Sequence, residues 1–277
     1  ITAIDVIDIP DHNILIGGFP CQAFSLAGVS KRQSLGYAHG LIDEERGGNL
    51  FYEIARILAD KRPGAILLEN VKNLRGHDKG NTLRVIKSIL DKLNYELFIQ
   101  VIDAQHYVPQ HRERLFIVGF HRDVYPDVDF KFPVVPQKRL YNFTDMLDPS
   151  PDSKYTLSDN LWKYLQTYKK KHQLRGNGFG FGMVQIKSET VTRTLSARYH
   201  KDGAEILIEQ PEKNPRRLTP RECARLMGYP EDFVILVSDT QAYRQFGNSV
   251  VVPVVTDIAQ QMVMAMQEHT QLTLMQD

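Results

Sequence analysis

Cysteine is nearly absent from this sequence: Cys21 and Cys223 are the only two in a chain of 277 residues. Neither has a second Cys or a His nearby at zinc-ligand spacing, which disfavours a disulfide framework and any metal site and leaves room for a reduced thiol. Long hydrophobic runs are also missing. No apolar stretch approaches the roughly 20 residues that cross a bilayer, and no basic start followed by an apolar segment precedes the first motif, so no signal peptide is read. The expectation is a soluble, cytoplasmic protein with no membrane partner. An excess of either charge is lacking too: 34 Lys+Arg against 33 Asp+Glu give a formal net charge of +1. Any polyanion must therefore be met by local basic clusters rather than by a global field. Internal repeats and low-complexity tracts do not occur.

The pattern that is present alternates short apolar runs with helical periodicity. Ile14 to Phe19 reads as a buried strand that delivers the loop Gly17-Gly18-Phe19-Pro20-Cys21-Gln22 at its C-terminal end. Asn49 to Asp60 has apolar residues at helical spacing, with Pro63 just beyond its end. Ala65 to Leu68 is a second strand running into Glu69-Asn70-Val71, and Thr82 to Leu93 is an amphipathic helix with Leu83, Ile86, Ile89, Leu90 and Leu93 inside. Phe98 to Val101 and Leu115 to Phe120 are further strands. Such alternation implies a largely parallel sheet covered on both faces. After about Pro133 the alternation stops, and loops rich in Pro, Asp, Ser, Lys and Gly run to roughly Pro215. A helix returns at Thr219 to Met227, where Pro220 suits a first turn and Gly228 an end, and a long one spans Val250 to Met266.

Several residues stand where chemistry is done. Cys21 lies at a strand end among Gly17, Gly18 and Pro20, a setting that suits an exposed nucleophile, although a free Cys also serves as an apolar filler. Glu69 ends an apolar strand, where a carboxylate must bind something or be salt-bridged. Gln110-His111-Arg112-Glu113-Arg114 reads either as a solvated charge run or as a paired-arginine site. Arg217-Leu218-Thr219-Pro220-Arg221-Glu222-Cys223 and Gln245-Phe246-Gly247-Asn248-Ser249-Val250 follow in order.

Taken together, Pro20-Cys21-Gln22, Glu69-Asn70-Val71, Gln110-x-Arg112-x-Arg114 and the two later motifs make the chain resemble the DNA cytosine-5 methyltransferase family. The resemblance implies that Cys21 is the nucleophile that adds to carbon 6 of a flipped-out cytosine, and that Glu69 hydrogen-bonds the base at nitrogen 3. Arg112 and Arg114 complete the catalytic set by the same resemblance, the second of them approaching the base and Glu69. It further implies S-adenosylmethionine as the methyl donor, faced by Pro20, Leu50, Asn248 and Ser249, with Gly47-Gly48-Asn49-Leu50-Phe51 as one wall. Cys223 is then a packed core residue. The family's Phe-x-Gly-x-Gly loop, its ribose-binding acidic residue and an adenine-contacting Asp have no counterpart here. Together with an opening Ile1-Thr2-Ala3, this sets the expectation of a segment upstream, or of a partner polypeptide that supplies it.

The expected fold is thus α/β: a Rossmann-like methyltransferase sheet, incomplete at the N-terminus, with a second, smaller target-recognition domain. The boundaries are set at residues 1–135 for the catalytic domain, 136–243 for recognition and 244–277 for a C-terminal return. Within the middle segment, Arg175-Gly176-Asn177-Gly178 and Thr192-Arg193-Thr194-Leu195-Ser196-Ala197-Arg198 resemble the recognition region of Dcm-type enzymes, which methylate the inner cytosine of CC(A/T)GG. Arg175, Asn177, Arg193 and Arg198 are the candidate base readers, and Lys169 to Lys171 suit phosphate contact, a solvated basic helix being the other reading of the lysine run. Ser25 to His39, with Gly28 and Gly36, is read as a loop closing over the DNA. Double-stranded DNA is the expected partner, bound by a monomer. Two other readings stay open: a tRNA cytosine-5 methyltransferase, against which the long middle segment argues, and a catalytically silent DNA-binding module.

Overall fold

A computed structural model of the chain describes residues 1–19, 50–176 and 180–274. The chain divides into two compact units. The first comprises Ile1–Ile102, Glu113–Phe132 and Gln260–Asp277, and the second Asp103–Arg112 and Pro133–Ala259.

In the first unit, strand β1 (Ile14–Gly18) is followed by helix α1 (Leu50–Lys61), strand β2 (Ala65–Val71), helix α2 (Asn81–Lys92), strand β3 (Tyr95–Asp103) and strand β4 (Glu113–His121). The sheet order is β1-β2-β4-β3. Strands β1 and β2 are parallel, with Ile14 opposite Ala65 and Gly18 opposite Glu69. Strand β4 runs antiparallel to β2, pairing Ala65 with Phe120 and Val71 with Arg114. The expectation of a largely parallel sheet therefore fails among the described strands, for a physical reason. Only a single 3-10 turn, Ala104–His106, separates β3 from β4, and the short stretch 104–112 cannot make the crossover that a parallel pair requires, so the two form a hairpin. Arg122 N donating to the Asn94 carbonyl closes one end of it.

Strand β2 lies between two partners, and its residues Ala65, Ile66, Leu67 and Leu68 are all buried. Alternating side chains point to opposite faces, so the sheet is covered on both. One face packs Ile66 and Leu68 against Phe51, Ile54 and Leu58 of α1 and Ile86 and Leu90 of α2. Their spacing is the helical periodicity of the sequence, and each such side chain contributes about 1.5–3 kcal/mol by leaving water. The sequence places these helices within one residue at each end and shortens β3, which begins at Tyr95.

The second unit contains helix α3 (Asp159–Leu174), strand β5 (Met183–Val184), helix α4 (Tyr199–Asp202), strands β6 (Leu207–Ile208) and β7 (Arg216–Arg217), and helices α5 (Pro220–Leu226) and α6 (Asp239–Asn248). The last helix, α7 (Val252–Leu274), begins here and ends in the first unit. Strands β5, β6 and β7 form a small sheet in that order, parallel then antiparallel. Helix α5 starts as its sequence promises: Thr219 accepts from the Glu222 N–H, Glu222 accepts from the Thr219 N–H, and Pro220 fills the first turn. It ends at Gly228 with φ +76°, where any Cβ would collide with Pro253.

The second unit gathers more than the expected 136–243. Residues 103–112 belong to it because Arg112 and Gln110 bond to carbonyls within it, and 244–259 belong because Val252 N donates to the Met227 carbonyl. By length and composition the helical stretch Asp239–Gln271 is long and apolar enough to cross a membrane, which counting uninterrupted apolar runs overlooks. Its buried residues Val254, Ile258, Met262 and Ala265 recur at helical spacing, the pattern of a stripe facing a protein core.

A buried ion pair braces the second unit. Glu222, fully buried, takes two hydrogen bonds from Arg216 at 2.8 and 2.9 Å and two more, each at 2.8 Å, from the Asp148 and Thr219 N–H groups. Removing one partner of such a pair strands a charge in a medium that cannot solvate it. Glu222→Gln is expected to destabilise the protein by about 3–5 kcal/mol, read from urea unfolding.

Candidate active site

The end of β2 shows how the sheet presents polar groups. The strand is apolar through Leu68 and then turns polar at Glu69, opposite Gly18 of β1 and Phe116 of β4. Arg114, two residues along β4 from Phe116, projects on the same face and reaches back. Its Nε lies 3.0 Å from Glu69 Oε1, with the two side chains 17% and 21% exposed. Burial lowers the Arg114 pKa, and the neighbouring Glu69 carboxylate opposes that shift. A largely buried carboxyl group and a largely buried guanidinium thus lie in direct contact at the strand end. Gly18 matters to this arrangement, because a Cβ there would come within 3.4 Å of Glu69 Oε2.

Asn70 is a residue beside Glu69 that sequence reasoning left without a role. It is 3% exposed; its Nδ2 donates to the Phe19 carbonyl at 2.6 Å, and its Oδ1 accepts from the Val71 N–H at 2.9 Å. The signal was present: a carboxamide beside a carboxylate at the end of an apolar strand must find partners. Asn70 therefore ties β2 to the segment leaving β1, two residues before Cys21 in the sequence. Phe19 is fixed on its other side by Phe51, ring centroids 5.2 Å apart. Leu50, half-buried at the start of α1, packs against the same core. Pro20, Cys21, the loop Ser25 to His39 and Gly47 to Asn49 lie outside the described residues.

The two expected arginines part company. Arg112, 3% exposed, donates through its terminal nitrogens to the carbonyls of Leu195 at 2.7 Å, Gly247 at 3.1 Å and Ser249 at 2.7 Å. Gln110, fully buried, accepts from the Leu195 N–H and donates to the Leu226 carbonyl. Arg112 is thereby a positioning residue that fixes the end of α6, whereas Arg114 meets Glu69. Asn248 is exposed at that helix end. The Ser249 hydroxyl lies 2.6 Å from the Tyr229 hydroxyl.

Among the candidate base readers, Arg175, Arg193 and Arg198 are exposed, and Asn177 lies outside the described residues. Arg193 donates to the Gly180 carbonyl at 3.0 Å, and the Arg198 N–H donates to Ser196 Oγ at 3.1 Å. Lys169 is drawn over the Phe181 ring, 4.3 Å from its centroid. Cys223 is fully buried, and burial, with Glu222 beside it, pushes its thiol well above the usual range, as suits an inert packed residue.

A family model described as C-5 cytosine-specific DNA methylase matches residues 1–264 of this chain. The chain belongs to the C-5 cytosine-specific DNA methylase family. It is 50% identical over 285 aligned positions to a DNA-cytosine methyltransferase of Escherichia coli K12, covering 91% of this chain and 60% of that protein. It is 52% identical over 267 positions to the type II methyltransferase M.NlaX of Neisseria lactamica, covering 96% of this chain and 80% of that one. The chain thus spans about 60% of the length of its Escherichia coli relative. The Entamoeba histolytica methyltransferase EhMeth superposes with a TM-score of 0.66 at 18% identity, over 96% of this chain and 81% of that one. That likeness supports the Rossmann-like methyltransferase fold for this chain.

For a C5 methylase chain, the grip of Asn70 on Phe19 places a test within reach. Asn70→Ala is expected to lower stability by about 1–3 kcal/mol, because a buried carbonyl and N–H lose their partner. Turnover should fall by more than the stability loss explains, measured as kcat at a temperature where the variant stays folded. Unchanged kcat would remove Asn70 from the site.

Proposed function

We propose that the chain carries out methylation of carbon 5 of cytosine in double-stranded DNA, with S-adenosylmethionine as donor and Cys21 as covalent catalyst. The observation that carries this reading is the Glu69–Arg114 pair at the end of β2, beside a Phe19 carbonyl anchored by Asn70. It sits where open α/β sheets place their chemistry, at the carboxyl ends of the parallel strands. The family membership and the relatives' names support the same activity.

In this reading a cytosine is drawn out of the duplex, at a cost of roughly a few kcal/mol for unstacking and unpairing. Glu69, taking up a proton to become the carboxylic acid, donates a hydrogen bond to nitrogen 3 of the base and withdraws electron density from the ring. Arg114 keeps the Glu69 carboxyl aimed, because a guanidinium fork restricts the orientation of its partner. The Cys21 thiolate adds to carbon 6, which turns carbon 5 into an enamine-like nucleophile. After methyl transfer, loss of the carbon 5 proton lets the thiolate leave and restores the aromatic ring.

S-adenosylmethionine, when bound, supplies an electrophilic methyl group. Pro20, Leu50, Asn248 and Ser249 are the residues of this chain that would hold it. Leu50 is half-buried and apolar, and Asn248 is exposed and carries a carboxamide, chemistries that suit an aromatic base and a polar tail respectively. Arg112 serves this set indirectly by fixing the backbone on either side of Asn248.

The target is proposed as the inner cytosine of CC(A/T)GG, read by Arg175, Asn177, Arg193 and Arg198. The exposure of the three described arginines supports this, since arginine makes bidentate contacts to guanine edges. The test is transfer of labelled methyl groups by the whole protein to duplexes that differ in one base pair of CCAGG, with digestion to nucleosides. The expected product is 5-methylcytosine at the inner position, and Glu69→Gln should lower the rate by at least about 100-fold, the range of general acid–base contributions. Transfer to another sequence would discard the target alone, and transfer to RNA but not DNA would discard the substrate.

A further inference from the structure

Helix α3 carries a flank of which only the lysines have been considered above, as candidate phosphate contacts, and whose aromatic row has no assigned role. Tyr164 and Tyr168 are 58% and 40% exposed, yet they face each other along the helix with ring centroids 5.9 Å apart. Tyr168 stacks in turn on His172 at 4.2 Å. Positions four apart rise about 6 Å per step and stay on one flank, so the three rings form a row. Lys171 projects beside this row, as does Arg175 just past the helix end, by the 3.6-residue turn. The opposite flank bears Lys163 and Lys170. Leu165 faces the core and Lys169 is laid over Phe181. Asp159, in the first turn, is the one acidic residue of the helix.

Charge and chemistry select the occupant. A flank with exposed lysine and tyrosine, and with no carboxylate after its first turn, complements a polyanion that accepts hydrogen bonds at regular intervals. Phosphate oxygens of a duplex do so, and such contacts fix register and orientation without reading sequence. Stacking holds the tyrosine rings in place, which lowers the entropy lost when their hydroxyls bind.

We propose that this flank of α3 docks on the phosphate backbone of duplex DNA, with Lys171 neutralising a phosphate and the Tyr164 and Tyr168 hydroxyls donating hydrogen bonds. The role rests on the reading that the chain modifies duplex DNA. It separates α3 from the exposed arginines, which read bases while the helix sets the register.

The test is equilibrium binding of the whole protein to a CCAGG duplex across a salt series. Lys171→Gln should reduce the slope of log affinity against log salt by about 1, the value of one phosphate contact. Tyr164→Phe combined with Tyr168→Phe should weaken binding about tenfold at one salt concentration and keep the wild-type slope, since hydroxyls release no counterions. Lys163→Gln, on the far flank, should keep both slope and affinity. An unaltered slope for Lys171→Gln, or an equal loss for Lys163→Gln, overturns the docking. Wild-type methyl transfer to the same duplex reports separately on the function. Transfer with an unaltered Lys171→Gln slope refutes the docking alone, whereas no transfer by the wild type refutes the reading beneath it.

Discussion

A carboxylate at the end of a buried strand is tolerated only when something beside it answers its charge, and in this protein that something is Arg114. The Nε of Arg114 sits 3.0 Å from Glu69, on the strand that runs antiparallel to β2. The hairpin of β3 and β4 is what delivers it. A parallel strand in place of β4 would bring its opposite end to this site. The antiparallel turn of the sheet thus brings Arg114 to Glu69, and the core packed behind it holds the pair at the carboxyl end of β2.

In each of the two units, buried side chains hold backbone groups in place. Asn70 grips the Phe19 carbonyl, and Arg112 and Gln110 gather carbonyls and an N–H from Leu195, Leu226, Gly247 and Ser249. Each is a buried polar group with partners supplied by loops, which is how a chain with little regular structure between Pro133 and Pro215 keeps defined loops. The Arg216–Glu222 pair and the capping box of α5 do the same at the next motif.

Much of this was legible in the sequence because apolar periodicity is a local signal. Helices α1 and α2, strands β2 and β4, and the start of α5 all follow from spacing, proline and capping residues. The hairpin of β3 and β4 was misread because strand direction depends on how far the chain must travel, and the periodicity of each strand is blind to that. Helix α3 fell inside a stretch read as loop-rich, with a solvated basic helix as one of two readings of its lysine run, since its core-facing stripe is narrow and its polar face wide. The membrane-length stretch escaped because polar residues interrupt it. At the site, Glu69 and Arg114 could be named from motif resemblance, but the division of labour between Arg112 and Arg114 could not. Two arginines of identical chemistry, two residues apart, differ in that Arg114 lies within β4, which begins at Glu113, whereas Arg112 lies in the segment before it.

The account's central claim is that the end of β2 and the anchored Phe19 serve one covalent step by Cys21. The direct measurement is trapping of the whole protein on duplex DNA carrying 5-fluorocytosine at the inner position of CCAGG, with S-adenosylmethionine present. The fluorine cannot leave as a proton does, so the covalent complex should accumulate and resist denaturation. The account predicts such an adduct with the wild type, none with Cys21→Ser, and one that forms more slowly with Asn70→Ala. An adduct that persists in Cys21→Ser, or a wild type that forms none on any duplex, would contradict it.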